Sequence, residues 1–385
     1  MSRELEQLIR AAGPAGVTPD ALMKALQQAP SRSTLTRQLL ALREAGSIKA
    51  LGNAKATRYV TSSPFTRADI DAYFASPAKS RPIAPFRDEY LEPTANIDPE
   101  RARRCAQIQA LASPMDRKFL AEFVVDFSWG SSLLEGSSYS ELDTEALLRY
   151  GERNTDKPVE DAVLALNHKR AGEHLWANRE LSFENICAMH GLLTDDHGLA
   201  DVARSDHFLP PEKRGQVRVY EDVNLQNSAY LPPFRPGTRH AEDLLRKIVA
   251  TAKQLPAVEA AIYLLTRIAY VQSFVNGNKR TSRIAANIPL VNAGLIPFSF
   301  VDVNKASYIR GMAAFYELGS MHVIEQTFVQ GYVRSIVRSS DLPAALRGAG
   351  FDLAETAGQL VDFINTGIVP TDPKLRVFMA SPVRR

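Results

Sequence analysis

Apolar positions along the chain recur at helical spacing almost from end to end. In "RELEQLIRAA", "TPDALMKALQQ" and "SRSTLTRQLLALREAG" the leucines and isoleucines fall three and four residues apart, which predicts three short helices within residues 1–46. Thr18 is a suitable N-cap with Pro19 at the first helical position, the serines 31 and 33 can cap the third helix, and Gly46 is a stop. "SIKALG" and "TRYVTS" then alternate as two strands around a Gly-Asn-Ala-Lys tip. From about residue 101 the helical period returns and predicts helices over 101–112, 116–128, 142–150, 158–177, 183–193, 239–254, 257–271, 280–293, 304–317 and 321–337. The exception is 215–233, "GQVRVYEDVNLQNSAYLPP", which reads as a β-hairpin.

The fold class expected is mostly α: an N-terminal three-helix unit with a hairpin over 1–61, then a helical domain over 101–340 with one small β-hairpin. Six prolines mark 62–100 as a connector, and Phe65, Tyr73, Phe74, Phe86 and Tyr90 argue that it packs against the domain that follows. Residues 341–385 read as one more helix and a loose end.

Composition changes this picture little. No apolar run approaches the roughly 18 to 20 residues of a membrane span, and the charged N-terminus lacks a signal peptide's apolar core, so the cytoplasm is the expected location. Cys105 and Cys187 show no disulfide or metal-ligand spacing and read as reduced core residues; no metal site is expected. Charge is more informative once divided. Residues 1–61 carry nine Lys/Arg and four acids, a net +5, whereas the remaining 324 residues sum to −2. Such concentration points to an anionic partner at the N-terminus.

The order helix, helix, helix, hairpin resembles a winged helix-turn-helix. That resemblance implies duplex DNA as partner, with Arg32, Arg37 and Gln38 on the third helix facing the groove and Lys55 and Arg58 on the wing meeting phosphates. Packing or protein contact is the alternative use of the same unit.

Between two apolar helices stands "VQSFVNGNKRTSR", residues 271–283. A glycine-containing break followed by a helix start with flanking arginines is a ready anion site, although Gly-Asn alone also serves as a plain helix stop. The whole stretch is similar to the signature of the Fic family, His-Pro-Phe-x-(Asp/Glu)-Gly-Asn-(Gly/Lys)-Arg-x-x-Arg. Phe274, Gly277, Asn278, Lys279, Arg280 and Arg283 match it. "SSLLEG", with Ser131, Glu135 and Gly136, resembles the family's inhibitory helix; "SAYLPP" resembles the end of its target-docking flap, which would include Val217, Val219, Tyr230, Pro232 and Pro233; and "ADVARSDHF", with Arg204, resembles the segment before that flap.

The resemblance implies transfer of AMP from ATP to a protein hydroxyl. A histidine at the first position would take the hydroxyl proton, an acid at the fifth would hold a divalent metal, and the Gly-Asn backbone with both arginines would grip phosphates. Here Gln272 stands at the histidine position and Asn276 at the acid position, with Ser273 for the proline. A glutamine amide takes no proton at neutral pH, and losing a general base costs about 10²- to 10⁴-fold in rate. A neutral amide oxygen brings no charge to a metal, so tight Mg²⁺ binding is not expected, while ATP or another adenine nucleotide remains a candidate ligand. The reading is a DNA-binding transcriptional regulator with a catalytically degenerate Fic domain that senses a nucleotide or partner. The alternatives are an adenylyltransferase autoinhibited by Glu135 and an antitoxin-like partner of another Fic protein. A homodimer, a protein partner at the flap and an ion pair between Glu135 and Arg283 are further expectations. His190 and His168 read as buried hydrogen-bonded residues, His197, His207 and His240 as loop residues, and Tyr308 and Tyr316 as core or pocket wall.

Overall fold

The computed structural model describes residues 2–12, 16–26, 30–44, 47–51, 57–61, 65–93, 96–111, 115–202, 205–339, 352–372 and 375. Lys55, Gly46, Arg204, Pro64 and most of the tail after 340 lie outside them. The chain divides into two compact units: Met1–Asp88 with Asn224–Pro233 and Ile309–Ile324, and Glu89–Val223 with Phe234–Tyr308 and Glu325–Arg385.

In the first unit α1 (Ser2–Ala11), α2 (Pro19–Ala25) and α3 (Arg32–Glu44) precede the antiparallel pair β1 (Ile48–Leu51) and β2 (Arg58–Thr61). The hydroxyl of Thr18 caps α2 by accepting from Ala21 N, and Ser31 Oγ accepts from Thr34 N at the head of α3. Leu5, Ile9, Leu22, Leu26, Leu35, Leu39, Leu42 and Ile48 close one small core, which is what the three-and-four spacing anticipates. The proline-bearing stretch contains α4 (Arg67–Phe74), started by a reciprocal capping box between Thr66 and Asp69. Phe65, Ile70 and Tyr73 join Val60, Ala314, Leu318 and Val323 in a second core. Beside it the buried Glu317 carboxylate takes hydrogen bonds from Arg81, Tyr73, Ser228 and the Ala229 amide. Burial and that carboxylate push the Tyr73 phenol above its ordinary range.

The second unit is helical: α5 (Pro99–Gln107), α6 (Arg117–Glu135), α7 (Glu141–Glu145), α8 (Val159–Ala177), α9 (Phe183–Leu193), α10 (His240–Ala252), α11 (Ala257–Val271), α12 (Asn278–Ala285), α13 (Asn287–Asn292) and α15 (His322–Arg338), with α14 (Lys305–Leu318) beginning in it. Every residue of α11 from Ala260 to Val271 is buried, so this helix is the axis of the unit. Two helices differ from the sequence expectation in ways that shape the site. The helix expected over 116–128 runs on to Glu135 and stops at Gly136, which is left-handed. Ser131 and Glu135 are therefore its last turn and not a separate helix. The helix expected over 280–293 starts at Asn278 and breaks at Ala286 into two, because Pro289 has no N–H for the carbonyl of Ala285.

The hairpin expected over 215–233 is corrected. Tyr230–Leu231 form a two-residue strand, β4, which pairs in parallel with β3 (Ala84–Pro85), and 215–229 hold no strand. The backbone there finds other partners. Arg218 N donates to Ser273 O, Gly237 N to Val219 O, and the amides of Val219 and Tyr220 donate to the Glu221 carboxylate. Those groups are therefore not available to a cross-strand ladder. No helix among the described residues is long and apolar enough to cross a membrane.

Candidate functional site

The quoted 271–283 stretch is the turn from α11 into α12. Gln272 ends α11 in a left-handed conformation, φ 49° and ψ 52°. Its amide is used at both ends: Nε2 donates to Ala269 O at 2.6 Å, and Oε1 accepts from Asn278 Nδ2 at 3.0 Å. Asn278 stitches the loop, accepting from Phe274 N at 2.9 Å and donating to Phe274 O at 2.8 Å. Asn276 is engaged as well, its Oδ1 accepting from Gly277 N and its Nδ2 donating to Asp206 O. Gly277 is required on two counts. Its φ is +77°, and a Cβ there would lie 2.8 Å from Thr194 Cγ2 and 3.2 Å from the His190 ring.

Two arginines of α12 are fully buried. Arg280 donates to the carbonyls of Leu193 at 2.7 Å and His207 at 2.5 Å, and burial lowers its pKa to about 10. Arg283 donates through Nε to Ser131 Oγ at 2.7 Å and through Nη2 to Glu135 Oε1 at 2.6 Å and Ser131 O at 3.3 Å. The expected ion pair is present, on the last turn of α6. Burial alone would raise the Glu135 carboxyl, but Arg283, Lys279 and Arg280 more than offset it and hold the group well below the usual carboxylate range. The same carboxylate outweighs burial at Arg283 and raises its pKa. Lys279 is exposed.

His190 is buried and stacks on Phe274 at 3.8 Å between centroids. Gly215 N donates to its Nδ1 at 2.9 Å, so the ring proton sits on Nε2 and is donated to Asn276 O at 2.9 Å. Burial penalises the charged ring and outweighs the hydrogen bond to Asn276 O, and with Arg280 nearby the pKa falls to about 3. His168 is equally buried, its Nδ1 2.7 Å from Leu164 O and 3.1 Å from Ser132 Oγ, with a pKa of about 3. His207 and His197 are in loops as expected, whereas His240 begins α10. Tyr308 is buried, with its ring centroid 6.0 Å from the Arg283 guanidinium carbon, and Tyr316 is buried in the first unit.

The other expected residues scatter. Val219 is exposed and Val217 half-buried, while Tyr230, Pro232 and Pro233 are buried. Arg37 is exposed on α3, Arg32 is exposed and paired with Asp20 at 2.7 Å, and Gln38 is half-buried with a buried amide oxygen that finds no partner. Arg58 is half-buried and donates to Gly16 O at 3.3 Å, which leaves it less available on the strand pair than expected. Sequence reasoning missed Arg218, whose Nε donates to Gln272 O at 2.6 Å and which holds the turn from outside. It also missed the carbonyls of Leu193, Asp206 and His207. Main-chain groups leave no residue-type signal.

The donor set does not fit a tightly held divalent metal. The Asn276 oxygen already accepts from Gly277, and among the described residues no group of three or more His, Cys, Asp and Glu could hold an ion. A polyphosphate suits the arginines better, provided that it displaces the Glu135 carboxylate from Arg283.

Fold and site together define a mostly helical protein that gathers two buried arginines at a helix–loop–helix turn. Residues 180–290 match the model of the Fic/DOC family and form a domain of that family. Among solved structures the chain is similar to Fic-1 from C. elegans, at 18% identity over 62% of this chain and 70% of that one with a TM-score of 0.47. It is also similar to a Fic domain containing signaling protein from Bacteroides thetaiotaomicron (16%, 64% and 97%, 0.49) and to a Fic family protein from Desulfovibrio desulfuricans (17%, 66% and 77%, 0.49). No curated protein matches.

Proposed function

We propose that this protein is a DNA-binding transcriptional regulator whose Fic domain grips a nucleotide's phosphates, or a partner, without transferring AMP. The regulator half is carried by α3 in the +5 segment: Ser33, Thr36, Arg37, Leu40 and Arg43 are exposed on it, opposite Leu35, Leu39 and Leu42 in the core. Three helices followed by an antiparallel strand pair offer α3 as the element that enters a major groove. As a homodimer, two such helices would reach half-sites about one helical turn, some 10 base pairs, apart. The loss of transfer is supported by Gln272, whose amide is locked between Ala269 O and Asn278 and has no site for a proton.

Gel shift against the protein's own upstream region tests the regulator reading. A specific shift that Arg37→Ala weakens is expected, and no shift of any duplex at low salt would overturn it. The Glu135–Arg283 pair favours a second reading, an adenylyltransferase held off by Glu135. Robust labelling of protein by radiolabelled ATP, gained in Glu135→Gly and lost with Arg280→Ala, would favour it over the first.

A further inference from the structure

Away from the motif, the second unit has a groove of about 460 Å³ walled by α6, α8 and the turn after α7. Leu120, Ala121, Val124 and Val125 of α6 and Leu148 make its apolar wall. The volume falls within the roughly 300–1,000 Å³ of small-molecule sites. Leu148 and Arg149 come from a π-helical turn, Ala146–Tyr150, closed by the left-handed Gly151. Such turns are rare and collect at functional sites, because the wider ring re-aims side chains.

The rim is cationic, with Arg117, Arg149 and Lys169 against the single acid Glu173. Arg149 pairs with Glu145 at 2.9 Å, and Lys169 reaches Leu148 O at 3.2 Å and Glu173 at 4.0 Å. Arg117 is exposed and makes no ion pair among the described residues. It also occupies the first turn of α6, where a cation opposes the helix dipole, so helix stability does not account for it. An aliphatic wall without an aromatic platform does not suit a nucleotide base. Glu145 and Glu173 stand beside Arg149 and Lys169, which leaves Arg117 as the rim's one cation without an acid among the described residues and suits a single carboxylate better than a neutral or basic ligand.

We propose that this groove binds an amphipathic carboxylate, in class a free medium-chain fatty acid. Its chain lies along Leu120, Val124 and Leu148 and its head meets Arg117. One unpaired cation at the end of a short aliphatic wall matches one carboxylate on one hydrocarbon chain; a second copy of the chain and a lipid surface are outcomes of the test below. The site is separate from the two buried arginines and does not depend on what they bind.

Calorimetry on the full chain with sodium decanoate, below its micelle concentration, tests the inference. Saturable binding at one site is expected, with no comparable heat from decyltrimethylammonium. Ala121→Trp fills the groove from an exposed position, and Arg117→Glu reverses the rim; each is expected to weaken decanoate binding by about tenfold or more. Far-UV circular dichroism checks that both variants keep their helices. Absence of saturable binding, equal binding by Ala121→Trp, or equal binding of the cationic detergent would each overturn the proposal. So would binding only to phosphatidylglycerol vesicles, or a dimer that Ala121→Trp dissociates while decanoate leaves the protein untouched.

Discussion

Removing the Glu135 carboxylate tests whether the fold tolerates Arg283 alone. In Glu135→Gln, the buried guanidinium keeps its bonds to Ser131 Oγ and Ser131 O but loses its one carboxylate partner among the described residues, with Arg280 and Lys279 nearby. Breaking such a pair costs about 3–5 kcal/mol, and the 12% exposure of the Glu135 side chain argues for the lower end, about 3 kcal/mol. At about 2–4 °C per kcal/mol for a domain of this size class, Tm falls by roughly 6 °C or more. Thermal unfolding followed by circular dichroism reads this directly. The folded-state pKa of Glu135 lies below its ordinary value of 4.5, so its stabilisation is complete above that pH and is lost as pH falls through the lowered value. The gap between the native chain and Glu135→Gln should therefore be constant from neutral pH down to about 5 and narrow only below about 4.5. Tripolyphosphate should restore part of the Tm of Glu135→Gly, since an anion bound to the folded state alone adds about 2.7 kcal/mol at a hundredfold excess over its Kd. A loss under about 1 kcal/mol at neutral pH, or a gap that changes between pH 5 and 8, would refute the account of Arg283 as a charge that must be neutralised.

Gly277→Ala combines a positive φ with a Cβ 2.8 Å from Thr194 Cγ2, and should cost about 1–3 kcal/mol in thermal unfolding; an unchanged Tm would mean that the turn relaxes freely. The pKa values of His190 and His168, lowered to about 3 by burial, make acidification destabilising from about pH 6.5 downward as the unfolded chain takes up protons; nitrogen-15 NMR at pH 5 should find His190 neutral with its proton on Nε2. Gln272→His with Asn276→Asp and Glu135→Gly should gain measurable AMP transfer from labelled ATP, which the native chain should lack by about 10²- to 10⁴-fold; equal labelling by both would sink the pseudoenzyme reading. Arg37→Ala should cost about 1–3 kcal/mol of discrimination between operator and random duplex, whereas Lys55→Ala should weaken both alike and lower the salt slope by about one; the reverse pattern in fluorescence anisotropy would exchange their roles.

The sequence by itself determined most of the helices and marked the residues that meet at the turn from α11 into α12. Three-and-four spacing placed 159–177, 183–193 and 257–271 within a residue of what the structure holds, because burial of one face leaves its period in the residue types. It also singled out Gly277, Asn278, Arg280, Arg283 and Glu135, since side chains that carry charge or free the backbone are legible one by one. Tertiary structure alone decided what these residues touch. That Arg280 is held by the carbonyls of Leu193 and His207, and that Asn276 donates to Asp206 O, depends on main-chain groups from distant segments. Every residue but proline carries the same N–H and C=O, so their pairing leaves almost no trace in composition or spacing. The failed hairpin at 215–233 has the same cause: alternation promised strands, but Ser273 O, Gly237 N and the Glu221 carboxylate reached that backbone first.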